Sequence, residues 1–544
     1  MTSRVLLALG LLAPSFAAQS GGLCIVGTGE VHSADIQTGD YFADALAVDD
    51  GVCVVGAEGK SVTGAFQGAA YVFERSGATW LESAVLTPGA PLDANDRYGI
   101  AVGISGDFIA IGADGDDDGG FDAGCVYVFE RLGGLWTQTT KLVAADASPA
   151  AQFGRSLALH GDTLVVSAIR DDESGQDAGA VYVYRESGGA WSLEQKLMAS
   201  DAAVFSAFGN DVDLEFDRLV VGAQEDDIDG SGALNDEVGA AYVFERVNTT
   251  WTESMKLVAS NAAQLDRFGG SVALNGDLIA IGAPGQDVAA VTAGAAYLFE
   301  WSMGTWNEAA ILTANDAAES DLFGISVAFF GQTLAVGSVF DDDGGMSSGS
   351  AYVFEDRGTG WAQAGKLVAP DGAAWDRFGC ELAIDGRTVL VGAVSGDESS
   401  NANSGSLYSF ALGIEAVEYG VGLAGSGGFV PRLSVPICPA DNSFLSLSVN
   451  DGLGGAAGIL LAGIAPTSFP IFGGLLLAAP PFVSIEPHVL GGTTGVAGAG
   501  AVDLTFPRQT STGFSRVLFV QAGYIDPMTP SGWSLTPGLE VVLP

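Results

Sequence analysis

Asp266-Arg-Phe-Gly-Gly-Ser-Val-Ala-Leu-Asn-Gly-Asp-Leu-Ile-Ala-Ile-Gly-Ala283 opens a unit that continues through Gly294-Ala-Ala-Tyr-Leu-Phe-Glu300 and Trp306 to Leu312. The spacing predicts four short strands, at Phe268–Leu274, Asp277–Ala283, Ala295–Glu300 and Trp306–Leu312. Each run is apolar, β-branched or aromatic and is bounded by Gly, Asn or Asp, the composition of strands joined by tight turns. Asn275-Gly276 supplies the first turn, because both residues tolerate positive φ.

The unit occurs seven times. Its first anchor is Tyr98-Gly99, Phe153-Gly154, Phe208-Gly209, Phe268-Gly269, Phe323-Gly324 and Phe378-Gly379, with Phe42-Ala43 as a degenerate seventh copy. Successive steps are 56, 55, 55, 60, 55 and 55 residues. The third strand recurs around Tyr71, Tyr127, Tyr182, Tyr242, Tyr297, Tyr352 and Tyr408, and Trp80, Trp136, Trp191, Trp251, Trp306 and Trp361 open the fourth. A fixed period with four strands per unit is the signature of a propeller. The expected fold is all-β: a seven-bladed β-propeller over residues 19–413, then a small β-sandwich-like module over 414–544. The seventh unit lacks a Trp strand, while residues 23–31 precede the first unit with no partner of their own. The N-terminal strand is therefore expected to close the last blade, which would remove an exposed strand edge.

The unit resembles the FG-GAP repeats that build integrin α-subunit propellers. It is closer to the bacterial variant with Lys-Leu-x-Ala after the Trp, seen here at Lys141–Ala144, Lys196–Ala199, Lys256–Ala259 and Lys366–Ala369. The resemblance covers residues 30–412 and implies the propeller fold far more specifically than any function. One departure stands out. Integrin-type repeats carry an Asp-rich calcium loop between the Phe-Gly and Gly-Ala strands. Here that connection is a short turn such as Ser105-Gly106-Asp107, so the resemblance does not carry calcium over.

The acids lie instead in the next loop. In a four-strand meander, loops 2–3 and 4–1 share one face of the ring, and the turns 1–2 and 3–4 share the other. Asp114-Gly-Asp116-Asp-Asp118-Gly119-Gly-Phe-Asp122 places carboxylates at positions 1, 3, 5 and 9 with a Gly at 6, a pattern suited to the many oxygen ligands of calcium. Asp114, Asp116, Asp118 and Asp122 are thus the metal candidates. Asp171, Glu173 and Asp177 in the third unit, and Asp341 and Asp343 in the sixth, match in part. Plain solvated Asp-Gly turns have the same composition.

Charge excludes some partners. Asp plus Glu number 66 against 21 Lys plus Arg, a net charge of −45 that would repel a phosphate backbone, so nucleic acid is not expected and a cationic partner is favoured. Arg4, the apolar run Val5–Leu12 and small residues near Ala17 read as a signal peptide over residues 1–18, implying a secreted or cell-surface protein. Five cysteines without CxxC spacing argue against a zinc site. Three histidines, no HExxH and no phosphate loop leave no recognisable catalytic set. Gly345-Met-Ser347-Ser-Gly349 precedes a strand and does not sit at a strand-to-helix elbow. From residue 452 to 485 no charge occurs, yet Pro466, Pro470, Pro480 and Pro481 are too dense for a membrane helix. The sequence thus suggests a monomeric, exported, non-catalytic binding or adhesion protein. Its acidic face, with or without Ca2+, would meet an extracellular protein or polysaccharide. The alternative is an extracellular carbohydrate-active enzyme using carboxylates of the central funnel.

Overall fold

The computed structural model describes residues 25–412 apart from 63, 77–78, 228–236, 357, 359 and 397–402, and beyond them backbone strands between Ala416 and Val542. Seven four-stranded antiparallel sheets form the ring. Blade 1 shows the order, with strands Phe42–Asp49, Val52–Ala57, Ala69–Ser76 and Thr79–Leu86 paired in sequence. Blades 2 to 6 repeat it. Blade 7 takes three strands from Phe378–Asp385, Thr388–Ala393 and Ser406–Leu412 and its outer strand from Ile25–Val31, which runs antiparallel from Ile25 opposite Leu412 to Val31 opposite Leu407.

First strands line a central channel and fourth strands lie at the rim. The aromatic residue that opens each unit is fully enclosed in all seven blades. Its ring meets the third-strand tyrosine of the same blade, with centroids 5.3 Å apart for Phe153 and Tyr182 and 5.6 Å for Phe42 and Tyr71. Edge-to-face contact of this kind adds about 0.5–1.5 kcal/mol beyond the buried area. Seven equivalent clusters explain why aromatic anchors recur at a fixed period.

Blades lock to one another through backbone. Gly124 ends the second loop of blade 2 at φ +82° and bridges to Phe153 of blade 3. A Cβ there would lie 2.1 Å from the Phe153 carbonyl oxygen, so only glycine allows the approach. The opposite face has its own ties: Gly106 N–H donates to Asp49 Oδ2 at 2.7 Å and Gly51 N–H to Asp385 Oδ2 at 2.9 Å, each linking a 1–2 turn to the neighbouring blade.

The first strand of blade 5 begins at Ser271, three residues later than the pattern predicts. Gly269 adopts φ +90° and Gly270 N–H donates to the Arg267 carbonyl; blades 3 and 6 share this turn, but there Phe153 and Phe323 pair with the second strand before the register shifts, whereas blade 5 pairs from Ser271 opposite Gly282. Beyond residue 415, strands form sheets of six, three and two. The sandwich expected there falls on residues whose side chains are not described, and the signal peptide, Cys24 and Cys438 also lie outside the described residues. Cys53 and Cys125 are buried free thiols on strands.

Candidate functional site: the loop face and the channel

Loops 2–3 and 4–1 meet on one face. The carbonyl of Phe121 accepts from Ala150 N–H at 2.7 Å, and that of Met346 accepts from Trp375 N–H at 2.8 Å, so each 2–3 loop is stitched to the 4–1 loop that follows. Many aspartates of this face build the loops themselves. Asp96, Asp266, Asp321 and Asp376 each accept a backbone N–H from three residues earlier, at 2.6–2.7 Å. Asp117, Asp172, Asp287 and Asp342 accept one from five residues later, at 2.6–2.8 Å. A short carboxylate that captures its own backbone fixes a turn.

A second group surrounds lysine ammoniums. Lys366, on the fourth strand of blade 6, donates to Asp316 at 2.9 Å, Asp341 at 2.8 Å and Asp343 at 2.7 Å. Lys196 does the same with Asp146, Asp171 and Glu173 at 2.7–2.9 Å. Lys256 reaches Asp201 and Asp226, and Lys141 reaches Asp116 and Asp118. Each Nζ also lies 5.0–5.2 Å from the centroid of the third-strand tyrosine ring, within cation–π range. Burial alone would lower the Lys366 pKa; the hydrogen bonds to the three aspartates outweigh it and raise it above the usual lysine value. Burial likewise opposes charge on Asp341, but Lys366 and the Tyr352 hydroxyl hold that carboxyl below its ordinary range.

The channel is a third environment, a cavity of about 500 Å³ enclosed by all seven first strands. Asp44, Arg155, Asn210, Asp211, Asp213 and Glu381 supply its charged and amide lining. Burial, with the neighbouring carboxyl of Asp44, pushes Glu58 up to about 7 against the pull of Arg155 and Arg97. Burial also carries Asp213 to about 7 and Asp211 to about 6, against the N–H groups of Leu274 at 2.6 Å and Val272 at 2.7 Å that stabilise their anions. Glu381 is pushed well above the carboxylate range by burial, with Asp211 and Asp44 adding to it. Carboxyl groups that keep a proton near neutral pH can donate hydrogen bonds or protons to whatever enters the channel.

A family model for the FG-GAP repeat matches residues 80–129, 136–184, 191–244, 251–299, 306–354 and 361–410, together more than half of the chain. The chain belongs to the FG-GAP repeat family. Each matched FG-GAP segment starts at a fourth-strand Trp and ends in the third strand of the next blade, one strand out of phase with the blade itself. That offset is the one closed by Ile25–Val31. FG-GAP propellers are binding- or adhesion-type proteins, which sets the coarse class of this chain. No curated protein matches it.

Within these FG-GAP repeats the predicted metal ligands part company. Asp114 is fully buried and pairs with Arg97 at 2.9 Å, whereas Asp116 and Asp118 turn to Lys141. Asp122 presents its backbone N–H to Asp117. Asp171 and Glu173 turn to Lys196, and Asp177 gives its N–H to Asp172. Among the described residues, one group of three has carboxylate oxygens within 4.8 Å of one another: Asp316, Asp341 and Asp343, two of them predicted. Sequence reasoning missed the lysines, treating them as strand residues. The available signal was their coincidence with loop acids. It also missed Asp211 and Glu381, which stand where the other units place Ala45, Ala101, Ser156, Ser271 and Ser326.

Proposed function

We propose that this chain is an exported, non-catalytic binding or adhesion protein whose loop face meets an extracellular protein or polysaccharide. The observation that carries the reading is the crest of that face. Phe121, Val291 and Met346 occupy the same place in three blades, three residues before the glycine that ends the loop ahead of the third strand, and Trp375 joins Met346 from the adjoining 4–1 loop. All four side chains are exposed, Phe121 at 69% and Trp375 at 52%. Large apolar groups held out on a rigid frame, ringed by carboxylates, suit recognition of a partner that offers both apolar contact and positive charge. The test is a solid-phase screen of the full chain against extracellular proteins and polysaccharides, repeated with the triple substitution Phe121→Ser, Met346→Ser, Trp375→Ser. Binding that falls at least tenfold with an unchanged melting temperature supports the reading, and binding indifferent to the three changes overturns it.

A second reading is an extracellular carbohydrate-active enzyme. It is favoured by the raised carboxyls in and beside the channel, because Glu58, next to the channel residue Asp44, lies near 7 and has the acidity of a general acid at neutral pH. Hydrolysis of any member of a glycan panel that Glu58→Gln abolishes would establish it over the first reading.

A further inference from the structure

We propose that the acidic cages of the loop face are closed by the protein's own lysines, each ammonium standing where a calcium ion would otherwise be held, so that these loops keep their shape without metal. The donor set of blade 6 invites a divalent ion, since Asp316, Asp341 and Asp343 bring three carboxylate oxygens within 4.8 Å of one another. Their centre is already taken. Lys366 Nζ lies 2.7–2.9 Å from all three carboxylates. An ammonium has three N–H donors and no acceptor, and three carboxylates satisfy it completely. Calcium needs six to eight oxygens at about 2.3–2.6 Å, and here it would have to displace a bound cation from the three carboxylates that balance its charge.

The chain's own blades provide the independent observation. Lys60 of blade 1 departs from the pattern: the fourth-strand position opposite Tyr71 is Val85, and the lysine comes from loop 2–3. Its ammonium still lies between two loop aspartates, 3.3 Å from Asp35 and 3.1 Å from Asp40. Asp35 corresponds to Asp316, and Lys60 stands at the position of Asp341. In blade 5 the fourth-strand residue opposite Tyr297 is Ile311, and here both kinds of charge vanish together. Asn261 replaces the entry-loop aspartate and accepts from the Tyr297 hydroxyl at 2.8 Å, and Gln286 replaces the buried one. A cage held for metal would have no reason to lose its acids when the lysine goes, or to move the lysine while keeping its place. A cage held for charge balance with an ammonium accounts for both, and in blade 7, where Glu30 stands opposite Tyr408, the Asp341 position is likewise uncharged (Gly396), while Asp371 stays as the acceptor of the Tyr408 hydroxyl.

The experiment uses the full chain, with calcium chloride alone as the probe, and reads melting temperature and titration heat in chelated buffer and at millimolar calcium. The wild type is expected to melt at the same temperature in both and to give no saturable heat from this site. Lys366→Met should melt several degrees lower in chelator, recover most of that loss with calcium, and gain one saturable site that Asp316→Asn added to it removes. Lys366→Arg keeps the charge and should stay indifferent to calcium. A wild-type melt that drops in chelator and is insensitive to Asp316→Asn leaves the cage closed and places metal elsewhere. A wild-type calcium site that Asp316→Asn abolishes overturns the proposal, as does a folded Lys366→Met variant that neither binds calcium nor is stabilised by it.

Discussion

The Tyr182 hydroxyl donates to Asp146 at 2.9 Å and lies 3.1 Å from Asp171, inside a cage whose ammonium is Lys196. The Tyr98 hydroxyl is equally enclosed and has no partner among the described residues. A hydrogen bond to a charged group contributes about 1.5–3 kcal/mol, and a buried polar group left unpaired costs about 1–3 kcal/mol. Tyr182→Phe should therefore destabilise the propeller by about 1–3 kcal/mol. Tyr98→Phe should leave stability unchanged or raise it by about 1 kcal/mol, and the other six units already carry Phe there. Chemical denaturation of the two variants checks the contrast, and equal losses would refute it. These two residues also mark what the sequence made legible. Aromatic anchors announce themselves because one ring type must fill one kind of hole seven times. A hydroxyl's partner does not, because Asp146 lies 36 residues from Tyr182 and only the folded blade brings them together. The lysines were hidden for the same reason: Lys366 is 23 residues from Asp343 and 50 from Asp316. Acid-rich loops then read as solvated turns or metal loops, since the third possibility, an internal cation, arrives from a distant strand.

At the scale of the strand, the fold was readable where period and turn chemistry agreed. The blades, their order and the face assignment of the loops all follow from short strands joined by short connections. The boundary of the first strand was not: a glycine at φ +90° to +96° follows the anchor in blades 2 to 7, and only the fold shows that Phe153, Phe323 and Phe378 still pair before the register shifts while Tyr98, Phe208 and Phe268 do not. The outer strand Ile25–Val31 carries the largest single burden among these elements. It pairs with Ser406–Leu412 across a gap of nearly four hundred residues, and the buried side chain of Val31 joins a cluster with Phe42, Tyr71 and Leu407 from blades 1 and 7. Without it, blade 7 would end in an exposed, largely apolar strand and the ring would be held shut by inner strands alone. A chain starting at residue 32 is expected to melt at least ten degrees lower and to associate through the unpaired edge of Ser406–Leu412. Differential scanning calorimetry with light scattering measures both. An unchanged melt of a monomeric chain would show that the inner strands suffice.

Across the whole molecule, two populations of carboxyl groups respond to pH with opposite signs. In the cages, Asp146, Asp201 and Asp341 are held below the ordinary value by their lysine and tyrosine partners, which overcome burial. Such a group adds stability above its unfolded pKa near 4, and that stability is lost as pH falls through the lower folded value. In and around the channel Asp114 and Asp211, and on the loop face Asp96, are pushed by burial up to about 6, and Glu58 and Asp213 to about 7. For these the folded state holds the proton more tightly than the unfolded chain. Their contribution is favourable below the folded pKa and falls away as pH rises from about 4 to about 7. A net charge of −45 acts in the same direction, since protonation relieves repulsion. Maximum stability should therefore lie near pH 4.5–5 and decline steadily to pH 8, with a second, steeper loss below pH 4 as the cages protonate. Glu381 separates the channel from general charge repulsion. It is surrounded by channel wall and has its carboxyl pushed far up, so Glu381→Gln should raise the melting temperature at pH 8, leave it unchanged at pH 4.5 and flatten the slope between them. An exposed-acid control such as Asp118→Asn, which loses a cage contact instead, should lower the melt at pH 8. Matching responses of the two variants would mean that bulk charge, and not the channel, sets the slope.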